Sequence, residues 1–305
     1  MKPADEWTHL PLVSAERSEA AKREAGELSA LEEGPAGKRY AYYLKKTGPG
    51  RMQSAMTLGG GSAIASLSLG ASFGFELLWV QPLAMLVGIL MLAAHAHQTL
   101  STGERPFNAM REYVHPLLAW AWVLATLAST LVWDFPQFAL ASGMIEDMLQ
   151  AVSGWRPAEA NRPLFLLGIS VLIFAGCTAV VWNYNRGLRG IRFFDKFLKG
   201  MIWLILFCFL LVIIRSTISG NIDWGALFMG FVPRRIPTDS YGITAVMAAF
   251  GSAVGINMTF LFGYSLLARG WTRAHRGLAR SDLLTGMLIP YLLATSLMVI
   301  ATAIT

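Results

Sequence analysis

The chain has 305 residues, of which 54% are hydrophobic and only 14% are charged, and its mean hydropathy is +0.48. A soluble globular domain has about 45–50% apolar and about 25% charged residues, so this composition excludes a typical soluble enzyme and a disordered chain. The net charge of +6 does not indicate nucleic-acid binding, because the basic residues lie between apolar runs. Cys177 and Cys208 lie inside such runs, and their spacing does not predict a zinc site.

Residues 1–47 form a polar tail that precedes a transmembrane domain at 48–305. The stretch 14–33 predicts a solvated helix. Five bases and no acid lie between residues 34 and 51. Such a basic collar beside a membrane is suited to anionic lipid headgroups.

Seven apolar segments follow the tail, and most reach the roughly 20 residues that a helix needs to cross a bilayer. They lack the alternation of barrel strands, so an all-α polytopic membrane protein is predicted. Twenty of the 25 Lys and Arg residues lie on the side of the N-terminus, which predicts a cytoplasmic N-terminus. The expected location is the bacterial inner membrane, with lipid as a partner. The segments are about 52–74, 75–95, 116–143, 163–183, 198–214, 241–267 and 283–303.

Glycines interrupt the first and the sixth of these segments. The first contains three successive glycines, and each glycine costs a helix about 1 kcal/mol relative to alanine. We therefore predict an unwound stretch at 59–62, with Ser62 as the N-cap of a second half-helix. The sixth segment predicts a similar distortion at 251–257. Close helix packing is the alternative role for glycines spaced four residues apart, such as Gly70 and Gly74.

Broken helices at the first and sixth positions are typical of transporters built from two inverted five-helix repeats, the LeuT/APC-type fold. In such transporters the substrate binds between the two breaks, near the middle of the membrane. The two breaks are therefore expected to face each other. The predicted substrate-binding residues are Gly59, Gly60, Gly61, Ser62, Gly255 and Asn257.

One acid, Asp134, lies well inside an apolar run, and Gln137 follows on the same helical face. A charge in mid-membrane costs about 2.5–3.5 kcal/mol on insertion scales, so it normally faces a polar cavity. We predict that Asp134 and Gln137 line a proton pathway. A position of Asp134 near the outer headgroups is the alternative. The candidates for direct cation contact are Ser62, Asn257 and Asp134.

Several short motifs resemble the Nramp family of proton-coupled divalent metal transporters. They are Gly48-Pro49-Gly50, the stretch from Gly70 to Trp79, Asp134–Gly143, Gly187–Arg192 and Gly251–Gly263. The resemblance covers about residues 40–303 and implies eleven or twelve helices in an inverted-repeat arrangement. Seven helices would supply the first repeat and two helices of the second. We therefore expect that the encoding gene continues beyond Thr305 for about four more helices.

The site residues of that family are largely replaced here. The family's Asp-Pro-Gly-Asn matches Gly59–Ser62, and its Met-Pro-His matches Gly255–Asn257. Its Asp and Glu of the third helix match Asp134 and Gln137. One carboxylate and the soft thioether are thus expected to be missing, which leaves neutral oxygens at the site. Loss of the thioether removes a preference for soft transition metals.

The resemblance implies a secondary active transporter coupled to protons or to another ion, with no cofactor. A hydrated or hard cation such as Mg²⁺ is the expected substrate, since Mg²⁺ gives up its water reluctantly. A small organic solute and a non-transporting membrane sensor are the alternatives. A serine hydrolase would need a base beside Ser62, and the nearest histidines, His95 and His97, fall at the end of their segment. An enzyme is therefore not expected.

Overall fold

The computed structural model describes residues 15–32, 34–46, 48–184, 188–220 and 222–304. Over these residues the chain is helical and contains no β-strand, which confirms the all-α class. The remaining tail residues, Gly187 of the fourth motif and Thr305 lie outside the described residues. Within the described ranges, six helical stretches are long and apolar enough to cross a membrane: Val80–Thr102, Pro116–Ser153, Glu159–Trp182, Lys199–Ile218, Ser240–Ala268 and Arg273–Ala303. The protein is a polytopic membrane protein.

The α-helices of the described residues are α1 (Ala15–Glu32), α2 (Ala36–Lys45), α3 (Gly50–Thr57), α4 (Gly60–Phe73), α5 (Val80–Thr102), α6 (Pro106–Tyr113), α7 (Pro116–Ser153), α8 (Arg162–Tyr184), α9 (Leu188–Ile218), α10 (Trp224–Gly230), α11 (Ser240–Ala253), α12 (Ile256–Ala268), α13 (Arg276–Leu283) and α14 (Ile289–Ala303). A π-helical turn, Leu284–Leu288, joins α13 to α14.

The predicted segments correspond to these helices with shifted ends. The first and sixth segments are each divided in two, into α3 and α4 and into α11 and α12. The second begins at Val80 rather than at residue 75, because Gly74 adopts a φ of 55° and opens a turn. The third and fifth helices are longer than predicted, because each continues past its apolar core into polar residues.

The chain folds as two compact units. The first comprises residues up to Thr126 and from Leu204 onward, and its core includes Leu69, Leu78 and Val299. A Cβ atom added at Gly70 would collide with the backbone carbonyl of Val299. Close packing of α4 against α14 therefore requires glycine at this position, which is the packing role weighed for Gly70.

The second unit, Leu127–Trp203, contains the later part of α7, all of α8 and the beginning of α9. Its helices are joined by an ion pair in which Nε of Arg162 donates to both carboxylate oxygens of Glu146, at 2.9 and 3.1 Å. The side chains of Phe138 and Phe174 pack edge to face at 6.1 Å.

The helix predicted in the tail is present as α1, but it is not simply solvated. Leu28 is buried, and the Glu24 carboxylate accepts a hydrogen bond from the indole of Trp271 at 3.2 Å. Glu24 also pairs with Lys46 at 3.2 Å. Burial and a hydrogen bond to Glu27 raise the pKa of the nearby Tyr42 to about 12. The tail helix is therefore anchored on the chain that follows α12.

Candidate functional site

The first break lies at Leu58 and Gly59, between α3 and α4. Gly59 is the N-cap of α4, so the prediction that Ser62 caps this half-helix is wrong. Ser62 lies inside the first turn, and its hydroxyl donates to the carbonyls of Thr57 and Gly59. Because a broken helix frees backbone carbonyls that need donors, Ser62 stabilises the break from within.

The second break lies at Val254 and Gly255, a shorter stretch than the predicted 251–257. Gly255 is the N-cap of α12, and the Asn257 side-chain oxygen accepts from the backbone N–H of Met258 at 2.9 Å. A Cβ atom at Gly88 would collide with the side chain of Val254, so α5 packs closely against this break. Asn257 and Gly255 are half-buried at the start of the half-helix.

The two breaks meet through side chains that the sequence did not single out. The hydroxyl of Thr57, the last residue of α3, lies 3.4 Å from the sulfur of Met258 in the first turn of α12, and both residues are buried. The thioether was expected to be missing because Gly255 replaces the methionine of the family motif. Met258, three residues later, places a thioether beside the first break, at a position different from that of the family motif.

A chain of buried polar groups supports the first break. The Ser66 hydroxyl donates to the carbonyl of Ser62 at 2.7 Å and accepts from the amide nitrogen of Gln81 at 3.0 Å. The amide oxygen of Gln81 accepts from the Tyr291 hydroxyl at 2.5 Å. Ser66, Gln81 and Tyr291 are fully buried. The network ties α4, α5 and α14 together with each of these groups satisfied, as buried polar networks require.

Two other buried polar side chains are not satisfied. Both amide atoms of Gln53 and the hydroxyl of Ser54 are enclosed and have no hydrogen-bond partner within the described chain. Leaving a buried donor or acceptor unpaired costs about 1–3 kcal/mol, so such groups need an explanation in a folded protein. Both residues lie on α3, directly before the first break.

A buried carboxylate holds the beginning of α3. Asp282 of α13 accepts hydrogen bonds from the backbone N–H groups of Gly48 at 2.8 Å and Gly50 at 2.5 Å. A Cβ atom at either glycine would collide with Asp282. At the Gly48-Pro49-Gly50 motif, the Asp282 carboxylate therefore contacts the backbone directly, and the two glycines leave room for it.

The predicted proton-pathway residues belong to the second unit. The Asp134 side chain is exposed and that of Gln137 is half-buried, both on α7. Among the described residues, no three His, Cys, Asp or Glu side chains gather closely enough to hold a metal ion. The donors that meet near the breaks are thus neutral: hydroxyls, carbonyls and one thioether.

Sequence reasoning missed Gln53, Met258 and Asp282. Met258 adjoins the predicted Asn257, and a search for any thioether within one turn of the glycine break would have found it. A polar residue on the buried face of a half-helix, such as Gln53, was also visible as a signal. Asp282 gave none, because its partners lie 234 and 232 residues away in the chain.

Most of the chain is similar in sequence to part of several known metal transporters. It is 28% identical over 219 residues to the divalent metal cation transporter MntH of Brucella suis, covering 70% of this chain and 43% of that protein. It is 24% identical over 225 residues to the manganese transporter SMF1 of Saccharomyces cerevisiae, covering 73% and 36%. It is 23% identical over 240 residues to the metal transporter Nramp6.2 of Populus trichocarpa, covering 77% and 39%.

The chain therefore spans about two-fifths of the length of these relatives. The profile of one family, described as natural resistance-associated macrophage protein-like, matches residues 50–305. That match runs from the beginning of α3 through both breaks to the last helix. The chain belongs to the Nramp family.

Proposed function

We propose that this protein is a secondary active transporter of a divalent cation, and that it takes the cation hydrated or as a hard ion such as Mg²⁺. The observation that carries the proposal is the contact of the two breaks through Thr57 and Met258. Broken helices free backbone carbonyls near the middle of the membrane, and such carbonyls coordinate transported cations. The relatives named above as metal transporters support the same class of substrate.

The neutral donors near the breaks favour a cation that keeps its water. A site without carboxylates does not offset the full dehydration of a small divalent ion, which for Mg²⁺ is especially costly. The single thioether of Met258 is a weak ligand for hard ions. Neutral polar groups then line the path of the hydrated ion, and they belong to Ser62, Asn257, Gly59–Gly61 and Gly255.

Cation flux into proteoliposomes tests this proposal. The purified chain is reconstituted, and uptake of Mg²⁺ and of Mn²⁺ is followed with and without an inward proton gradient. Cobalt(III) hexaammine, whose ligands do not exchange, mimics a fully hydrated Mg²⁺ ion. We expect Mg²⁺ uptake above that of protein-free liposomes and competition by cobalt(III) hexaammine.

Each failure of this experiment has a distinct meaning. Uptake of Mn²⁺ without competition by cobalt(III) hexaammine would contradict transport of a hydrated ion but would still support transport of a metal ion. Absence of any cation uptake would overturn the proposal of cation transport and leave transport of an organic solute or a sensor role.

For orientation, we propose a cytoplasmic N-terminus in a bacterial inner membrane, tested by protease access to an N-terminal tag in intact and opened cells.

A further inference from the structure

The half-helix α3 has a buried face without large apolar side chains. Four of its residues are buried, and they are Gly50, Gln53, Ser54 and Thr57. None carries an apolar side chain larger than the methyl group of threonine. In a membrane protein, polar side chains face the interior of the helix bundle, where they need hydrogen-bond partners or a polar ligand. This polar face lies on the half-helix that leads directly into the first break.

Two buried glutamines among the described residues differ in whether their amide groups have partners. Gln81 is fully buried, and both of its amide atoms have partners, Tyr291 and Ser66. Gln53 is equally buried, and neither of its amide atoms has a partner in the described chain. The fold can therefore satisfy a buried glutamine, and at Gln53 it does not. The Ser54 hydroxyl beside it is unpaired as well.

The position of Gln53 relates it to the breaks. Gln53 and Thr57 are four residues apart on one helix, so they lie on the same face, about one 5.4 Å turn from each other. Thr57 contacts Met258 of the second broken helix. In the other direction, Gly50 donates its N–H to Asp282. The unpaired groups thus lie between the meeting point of the breaks and a buried carboxylate.

We propose that Gln53 and Ser54 form a cation-binding position one helical turn before the first break, where they hydrogen-bond the water carried by a divalent cation. Water bound to a cation presents its hydrogens outward, and the Gln53 amide oxygen and the Ser54 hydroxyl oxygen accept them. The contacts are neutral, so the ion is held without being dehydrated. This assignment deepens the proposed function and makes Gln53 a specificity-determining residue.

A pair of matched variants, Gln53→Leu and Gln81→Leu, tests the assignment. Leucine has nearly the volume of glutamine and no polar atoms. Replacing a satisfied glutamine strands its partners, whereas replacing an unpaired glutamine removes a buried polar group that has no partner. We measure the melting temperature of each purified protein in detergent, with and without millimolar Mg²⁺, and the Mg²⁺ flux in proteoliposomes.

We expect opposite effects on stability. Gln81→Leu should lower the melting temperature, and Gln53→Leu should leave it unchanged or raise it. Mg²⁺ should raise the melting temperature of the unmodified protein, because a ligand that binds only the folded state stabilises it. Gln53→Leu should abolish that rise and slow Mg²⁺ flux about tenfold, which corresponds to about 1.4 kcal/mol of activation free energy.

Ser54→Ala provides a second variant, with the exposed Ser68→Ala on α4 as its control. We expect Ser54→Ala to reduce the Mg²⁺-induced rise and Ser68→Ala to preserve it. The assignment is overturned if Gln53→Leu lowers the melting temperature as Gln81→Leu does, if the rise survives in Gln53→Leu and Ser54→Ala, or if Mg²⁺ causes no rise in the unmodified protein. If the Mg²⁺-induced rise in melting temperature depends on Gln53 but no Mg²⁺ flux is measured, the transport proposal is overturned and the assignment of the binding position stands.

Discussion

At the scale of single residues, hydrogen bonds among neighbouring polar groups stabilise the first break. Ser62 donates to the carbonyls that the break frees, and Ser66, Gln81 and Tyr291 continue the chain of bonds into α5 and α14. The Ser62 hydroxyl, as a donor to carbonyls, is therefore occupied in holding the break. Its oxygen is still able to accept a hydrogen bond from bound water.

The end of this network gives a stability prediction. Tyr291→Phe removes the hydroxyl that donates to Gln81 and strands a fully buried amide oxygen. We expect a loss of about 1–3 kcal/mol in the free energy of unfolding, since an unpaired buried acceptor bears its full desolvation cost. Denaturant titration of the protein in detergent measures it. Tyr40→Phe, at an exposed hydroxyl, is the control, and equal stability of the two variants would contradict the prediction.

At the scale of elements, α3 is a short helix with a buried middle and a polar contact at each end. It has only eight residues, too few for an independently stable helix, which needs about 12–15. Asp282 binds the backbone at its beginning, and Thr57 contacts Met258 at its end.

Removal of the carboxylate should loosen the beginning of α3. Asp282→Ala leaves the N–H groups of Gly48 and Gly50 without their acceptor, and hydrogen bonds to charged groups contribute about 1.5–3 kcal/mol each. We expect amide hydrogen exchange over residues 48–57 to accelerate by at least about tenfold. Asp282→Asn, which keeps one acceptor oxygen, should give a smaller change. Unaltered exchange in Asp282→Ala would show that the carboxylate does not hold the half-helix.

The N-terminal helix α1 is attached through Glu24. Its carboxylate accepts from Trp271, pairs with Lys46 and lies 3.7 Å from the buried His275. Glu24→Ala should therefore detach α1, with protease cleavage and hydrogen exchange over Ala15–Glu32 about tenfold faster. Glu19→Ala is the matched control, because Glu19 is exposed and pairs with Lys22 of the same helix. Equal protection in both variants would rule out Glu24 as the attachment point.

At the scale of the whole molecule, the candidate residues divide between the two units. The breaks, the buried network and the unpaired Gln53 belong to the first unit, and Asp134 and Gln137 belong to the second. Cation binding and proton transfer would thus be carried by different parts of the chain. Coupling of this kind requires that both units respond to the same conformational change.

Our hypothesis of proton coupling gives a prediction for the second unit. Asp134→Asn cannot ionise, so we expect cation flux to lose its dependence on the proton gradient while the fold stays intact. Asp147→Asn is the control, because Asp147 is an exposed acid on the same helix that pairs with Arg156. Flux assays in proteoliposomes at two external pH values measure the effect. Retention of the gradient dependence in Asp134→Asn would show that the proton follows another route.

Local physics explains what the sequence alone determined. Long apolar runs require helices in lipid, because only helices satisfy the backbone there, so the all-α class and the approximate spans followed from composition. The glycines at 59–61 and at Gly255 weaken a helix through their own backbone, so the positions of the breaks could be predicted within a few residues.

Tertiary structure alone decided which groups meet. Three contacts join residues that are 201 to 234 positions apart in the chain: Thr57 with Met258, Gln81 with Tyr291, and Gly48 with Asp282. Contacts of this kind depend on how helices pack, and helix packing depends on side-chain shapes over the whole bundle. For the same reason the sequence could not reveal that one buried glutamine finds partners and the other does not.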